Sequence, residues 1–297
     1  MLNRVSAGPV EVKTFTSQTQ ADAVDIIHAY VDGWPYIRRL DSTLLDHWRT
    51  IPSFEPEHFW IAYRDGVPQA CIHGTLATGS SHGRVNLLAL RPGALPAAVN
   101  LLRTLSDLAA QMKLTHLVGP SPASALFYGG YVMGSEPYHP HWAVEATEAY
   151  VRAGYYITEA EVTMVRDLSK PVAVDVAPAG YEIVAAPDAQ EYGARSFGYL
   201  ALHAGQEIAH CYARLYPQLI GPSGGPVGPV GDVGTDEPHR GNGLARVMTQ
   251  MCLCDMQGWG GAEVLLSTGL SNVSALRAYE RAGFERRHHA CEWTKAL

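Results

Sequence analysis

The chain has 297 residues, 47% of them hydrophobic and 17% charged, with a formal net charge of -7. Compact domains usually run ~100–200 residues, so two soluble cores are expected. The acidic balance, with basic residues only in short pairs such as Arg38-Arg39 and Arg286-Arg287, excludes a phosphate-backbone surface. No stretch approaches the ~20 apolar residues of a membrane span, so neither nucleic acid nor membrane is an expected partner. Met1 to Gln20 is polar and lacks the apolar run of a signal peptide. Cys71, Cys211, Cys252, Cys254 and Cys291 are odd in number and irregular in spacing. They read as reduced core thiols of a cytoplasmic protein rather than a disulfide framework.

In chain order, the first clear signal is a hairpin. Trp60 to Arg64 and Val67 to Leu76 are apolar runs joined by Asp65-Gly66. A strand at Val85–Leu90, a helix at Ala97–Met112 and a strand at Thr115–Gly119 follow. The last helix of this half ends at Ala153-Gly154-Tyr155. The same order then recurs: a hairpin turning at Ala204-Gly205, a strand at Val227–Thr235, a helix at Leu244–Gln257, a strand at Glu263–Thr268, and a helix ending at Ala282-Gly283-Phe284. Two β-β-β-α-β-α units predict an α/β (α+β) protein built by duplication. The join is expected near Ser169-Lys170-Pro171, ahead of a Pro- and Ala-rich linker, which divides the chain into 1–170 and 171–297.

The richest segment is Asp232-Val-Gly-Thr-Asp-Glu-Pro-His-Arg240-Gly241-Asn242-Gly243-Leu244-Ala245-Arg246. It reads strand, Gly-rich turn, helix. Glycines let the backbone approach a ligand closely. The first helical N–H groups have no internal partner, so with Arg240 they form an anion site. No Gly-Lys-Ser/Thr follows, so this is not a P-loop. In Ser271-Asn272-Val-Ser-Ala275-Leu-Arg-Ala-Tyr279-Glu-Arg-Ala-Gly283-Phe284, Asn272 or Ser271 can cap a helix that Gly283 closes. Asn272, Ala275 and Tyr279 share nearly one face of that helix.

Together these two segments resemble the GNAT superfamily of N-acetyltransferases. Arg240, Gly243 and Ala245 meet the pattern Arg/Gln-x-x-Gly-x-Gly/Ala. Asn272, Ala275, Tyr279, Gly283 and Phe284 meet Asn-x-x-Ala-x-x-x-Tyr-x-x-x-Gly-Phe. The resemblance covers about Tyr181 to Thr294. More loosely, the whole chain resembles tandem-GNAT proteins of the mycothiol-synthase kind, two GNAT-like domains each with a mixed, mainly antiparallel sheet flanked by helices. The resemblance implies acetyl-CoA as co-substrate, an amine acceptor, no metal, and direct attack without an acyl-enzyme. Backbone of Val233, Gly234 and Thr235 would pair with the pantetheine arm. The amides of Gly241, Asn242, Gly243, Leu244, Ala245 and Arg246 would cradle the pyrophosphate, with Asn272 and Ala275 beside the pantetheine. Tyr279 would protonate the departing thiolate. Ser267 stands where some members carry a glutamate base, so the base is open. Asp232 is taken as the candidate, with Glu207 and His210 as alternatives.

The first half repeats the pattern without the site. Arg91-Pro-Gly-Ala-Leu-Pro96 has one glycine and two prolines, which lack N–H donors, and nothing there matches Asn272. That half is read as a degenerate partner that shapes the cleft. Its loop Phe127 to Trp142 is Gly- and aromatic-rich and reads either as a substrate loop or as rigid filler. His139 and His141 lack a third ligand at fitting spacing, so no metal is expected. The expected function is acetyl transfer to a primary amine, of a small molecule first. A peptide N-acetyltransferase and a non-catalytic acyl-CoA-binding regulatory module are the alternatives. Monomer and homodimer are both open.

Overall fold

Tight turns set the register of the sheets. The computed structural model describes residues 9–36, 50–51, 54–77, 79–120, 139–187, 189–191 and 194–297. These fall into two units. Unit 1 takes the described residues up to Ala160 and returns for Ala290–Leu297; unit 2 takes Glu161–His289. The boundaries fall within two long strands.

Unit 1 begins with β1 (Val10–Thr14), α1 (Gln20–Val31) and the hairpin β2 (Phe59–Arg64) and β3 (Val67–Thr75). At its tip Asp65 has φ +50° and Gly66 φ +76°, the left-handed pair that matches the twist of antiparallel strands. β4 (His82–Leu90), α2 (Leu95–Gln111), β5 (His116–Gly119), β6 (His139–Pro140) and α3 (Val144–Arg152) follow. β1 to β4 are antiparallel neighbours in order; β4 and β5 run parallel, joined by the crossover helix α2. α2 turns a stripe of Leu101, Leu102 and Leu105 into the core, each 0% exposed and each contributing about 1.5–3 kcal/mol. The closing strand is the C-terminal part of β14 (Glu285–Ala296), whose residues Trp293–Ala296 pair with His116–Gly119. Its Trp293 lies flat on Tyr150 of α3, with ring centroids 5.3 Å apart.

β7 (Tyr156–Asp167) enters unit 2. There, β8 (Glu182–Ala185), β9 (Ala189–Glu191) and the hairpin β10 (Ala194–His203) and β11 (Gln206–Ile220) lead to β12 (Pro226–Thr235), α4 (Leu244–Gly258), β13 (Glu263–Gly269) and α5 (Val273–Arg281). The strand order is β7-β13-β12-β11-β10-β8, antiparallel except for the β12–β13 pair. Along β11, burial alternates: Cys211, Ala213 and Leu215 are buried, whereas His210, Tyr212 and Arg214 are not. The buried set faces α4, where Cys211 Sγ lies 3.8 Å from both Thr249 Oγ1 and Cys252 Sγ. Each unit is thus the mixed, mainly antiparallel sheet with helices that the resemblance implies.

Two expectations need correction. The cysteines are not all core thiols: Cys71, Cys211 and Cys252 are buried, but Cys254 is exposed and Cys291 half-buried. On α4 a step of two residues turns the side chain from the core to water. The Pro- and Ala-rich stretch after Pro171 lies inside unit 2 and is tied to α4. Asp175 exchanges two hydrogen bonds with Gln250, and Gln257 donates to Leu168 and Lys170 carbonyls. Among the described residues, no helix is long and apolar enough to cross a membrane.

The β10–β11 turn carries a testable strain. Ala204 holds φ +51°, a conformation that costs a Cβ-bearing residue about 1–2 kcal/mol and that Asn visits readily. Ala204→Asn is expected to raise the thermal midpoint, by up to about 1 kcal/mol of stability. An unchanged or lower midpoint contradicts the turn assignment.

Candidate functional site

The site residues expected from the sequence all lie in unit 2, around the place where two parallel strands part. β12 and β13 pair through Val227, Gly228 and Pro229 opposite Glu263, Val264 and Leu265, and the ladder stops there. Pro229, at the last pair, has no N–H to donate. Beyond it β13 runs on to Gly269 against β7, and β12 runs on to Thr235 against β11. The facing edges of Val230–Thr235 and Leu266–Gly269 are therefore unpaired with one another, an open slot between parallel strands.

Within that slot β12 bulges. Cys211 is opposite Val233 but Tyr212 is opposite Gly231, so Asp232 is the extra residue, with φ +49°. The bulge directs Asp232 toward β11, where its Oδ1 is 3.2 Å from His210 Nε2; Glu207 Oε1 is 3.9 Å from the same ring's Nδ1. The three base candidates therefore form one cluster. Ser267, by contrast, bonds Thr163 Oγ1 at 3.0 Å.

The Gly-rich turn leaves β12 through a short 3-10 helix at Glu237–His239. Arg240 Nε returns to the Thr235 carbonyl at 3.0 Å. Gly241 and Gly243 hold φ +82° and +83°, which glycine alone adopts without strain. No side chain caps α4; the first bond back to the turn is Val247 N–H to the Gly243 carbonyl. The amides of Leu244, Ala245 and Arg246 precede that bond and open outward, as an anion site requires. The turn is braced by residues that the sequence reading did not single out. Asn242 donates to the Tyr181 hydroxyl and the His239 carbonyl, and Tyr181 bonds His239 at 3.1 Å. His239 is half-buried there. Arg246 turns its guanidinium to Asp175 at 3.2 Å, beside the turn glycine Gly243. The signal for Tyr181 and Asp175 lay in long-range contacts, which no local spacing shows.

Asn272 caps α5: its Oδ1 accepts from Ala275 N–H at 3.2 Å and Ser274 Oγ at 3.0 Å. At the other end Gly283, at φ +86°, lets the Phe284 amide reach the Tyr279 carbonyl at 3.0 Å. This frame holds Tyr279, 9% exposed, inside unit 2. Burial, and to a lesser degree the charge of the nearby Cys211, pushes its phenol up to about 12.

In unit 1 the corresponding positions are filled. The Gly93 amide, in the turn before α2, is bonded by both carboxylate oxygens of Glu145 at 2.9 and 3.0 Å. Tyr150, the counterpart of Tyr279, is covered by Trp293. The loop from Phe127 to Tyr138 lies outside the described residues. His139 is buried between Tyr30 and Tyr150, and burial pushes its imidazole down to about 4.

The Asn272 cap has a measurable weight. Asn272→Ala is expected to cost about 0.5–2 kcal/mol in thermal or denaturant unfolding, with Asn272→Asp nearly neutral. Equal loss in both variants contradicts a capping role.

Comparisons with known proteins follow the same division. Residues 164–284 match the family model described as Acetyltransferase (GNAT) family. A mycothiol acetyltransferase from Thermobispora bispora is 35% identical over 88 residues, 30% of this chain and 30% of that protein. One from Cellulomonas flavigena is 34% identical over 90 residues, 29% of this chain and 26% of that protein. The matched segments thus span less than a third of these curated relatives. Among solved structures, a tandem GNAT protein from the clavulanic acid biosynthesis pathway superposes with a TM-score of 0.70 at 17% identity, covering 97% of this chain and 98% of that one. A GCN5-related N-acetyltransferase from Sphaerobacter thermophilus gives 0.66 at 16% identity, covering 97% and 96%. These two likenesses establish fold. The chain thus has the fold of a tandem GNAT protein, and residues 164–284, within unit 2, match the GNAT acetyltransferase family.

Proposed function

We propose that this protein is an acetyl-CoA-dependent N-acetyltransferase that moves an acyl group to a primary amine of a small molecule, by direct attack on the thioester. One observation carries the reading. Past Pro229 the edge of β12 that faces β13 is unpaired with it, the same strand leads through the Gly-rich turn to the uncapped start of α4, and Tyr279 is buried in the core these elements share. A pantetheine arm is an amide-bearing chain with strand-like hydrogen-bonding groups. Backbone of Val233, Gly234 and Thr235 would take it as an added strand. The amides of Gly241 to Arg246, with the positive helix end and the Arg240 charge, would hold the pyrophosphate. Ala275 keeps the α5 face small, and the Asn272 amide nitrogen is left to meet the arm while its oxygen caps the helix.

The chemistry divides between two sides of the slot. On the α5 side, Tyr279 meets the sulfur. Its raised phenol stays protonated through the neutral range, so it is charged with its proton when the thiolate leaves. On the other side, the acceptor must shed a proton before its nitrogen attacks, near Asp232, Glu207 and His210. We propose one cofactor site per chain, because in unit 1 Glu145 takes the Gly93 turn amide and Trp293 stacks on Tyr150, the counterpart of Tyr279. The relatives' names make a mycothiol-type amine the first acceptor to screen. The exposed thiol of Cys254 suits a reducing compartment, the cytoplasm.

Tyr279→Phe tests the reading. The expected result is a loss of kcat on the order of 100-fold, with KM for acetyl-CoA changed less than about threefold. An unchanged kcat removes Tyr279 from the chemistry. Loss of acetyl-CoA binding instead makes it a structural tyrosine.

A further inference from the structure

The face of the unit 2 sheet turned away from α4 holds a built imidazole site at the bulge. His210 is opposite Gly234 in register, and its ring lies across that glycine: a Cβ there would come within 2.5 Å of the ring. Tyr212 seats in the same way against Gly198, and the His210 and Tyr212 rings are 5.7 Å apart. Two glycine notches thus fix two aromatic side chains on one face. The charged groups that meet the His210 ring are Asp232 from β12 and Glu207 from β11 itself. Asp232 reaches it only because the backbone there adopts φ +49°. An L-residue held in that region commonly marks a functional site.

We propose that His210 is the proton acceptor for the incoming ammonium group, with Asp232 binding the ammonium charge and Glu207 positioning the ring. This rests on the reading that acyl-CoA occupies the β12–β13 slot. Nε2 faces Asp232 at the bulge of β12, the strand proposed to take the pantetheine arm, and Nδ1 faces Glu207. Glu207, 3.9 Å from Nδ1 and beyond hydrogen-bond reach, favours a proton on that nitrogen through its charge, and an ammonium entering between Nε2 and Asp232 would meet the Nε2 lone pair. The ammonium gives one proton to Nε2. The freed amine attacks the thioester carbon, the C–S bond breaks, and Tyr279 protonates the sulfur. The second proton leaving the acceptor nitrogen replaces the one that Tyr279 gave. The imidazolium then lies between two carboxylates and donates to Asp232, the 3.2 Å contact seen here. A carboxylate alone is a weak base toward an ammonium of pKa ~10, whereas an imidazole changes charge between about pH 5 and 8. Asp232 thereby becomes the acceptor's counter-ion and not the base.

The test uses the full chain with acetyl-CoA and three small primary amines, glucosamine, putrescine and glycylglycine, and reads CoA release across pH 5.5–9. The wild type is expected to show a rising acid limb. His210→Gln should lose kcat on the order of 100-fold and lose the limb, with acetyl-CoA affinity by calorimetry within about twofold. Gly234→Ala, which removes no titratable group but displaces the ring, should lose kcat about tenfold or more. Tyr279→Phe should stay slow yet keep the limb. If His210→Gln keeps the limb, or Gly234→Ala keeps full activity, the assignment is overturned. A wild type that binds acetyl-CoA but transfers to none of the amines overturns it as well. A wild type that binds no acetyl-CoA sinks the transferase reading itself, a distinct outcome.

Discussion

Parallel strands that pair for three residues and then part leave backbone groups facing one another across a gap, and unit 2 is organised around that gap. N–H and C=O groups need partners, and a sheet edge invites another chain to supply them. β12 cannot close on β13 past Pro229, which brings no donor, and the bulge at Asp232 turns the strand further away. The gap is kept open by what surrounds it. β7 holds β13 from its far side, β11 holds β12, and the core of Val162, Met164, Val264, Leu266 and Leu276 packs beneath. The Gly-rich turn then places the start of α4 at the end of the slot. In the proposed reading, a chain with amides along its length and an anion at one end would meet its partners there in the right order.

The two units show how a duplicated fold keeps its frame and changes its use. Both have the two-residue left-handed hairpin, the crossover helix and the helix ended by glycine. In unit 1 the turn amide of Gly93 is taken by a carboxylate of the same unit, and an indole lies on the tyrosine that matches Tyr279. An internal carboxylate is always present at its site, whereas a free anion must lose translational freedom to bind. A buried aromatic pair is worth ~0.5–1.5 kcal/mol beyond the area it covers. In unit 1 those groups stabilise the fold; in unit 2 the same positions belong to the proposed cofactor site.

Much of this was legible in the sequence, for local reasons. Asp65-Gly66 marks its hairpin because few residues accept positive φ, and leucines at helical spacing mark α2. Two glycines followed by an apolar helix mark the turn before α4, and Asn272 with Gly283 marks both ends of α5. What was not legible depends on pairing at a distance. No turn residue marks the points in β7 and β14 where the unit boundaries fall. Asp232 lies 22 residues from His210, and their contact follows from the hairpin register combined with a bulge that has no signature of its own. The stretch from Pro171 to Gly180 has the composition of a linker. Asp175, meeting Gln250 and Arg246, ties it to α4 through contacts that composition does not show.

The central claim is that the slot and turn of unit 2 form one acyl-CoA site per chain. Calorimetric titration of acetyl-CoA and free CoA into the wild type and into Arg240→Glu tests it most directly. The account predicts one site per chain, lost or weakened by about tenfold or more in the variant, since a reversed charge at the pyrophosphate replaces attraction with repulsion. Two sites in the wild type, or undiminished binding by the variant, would contradict it.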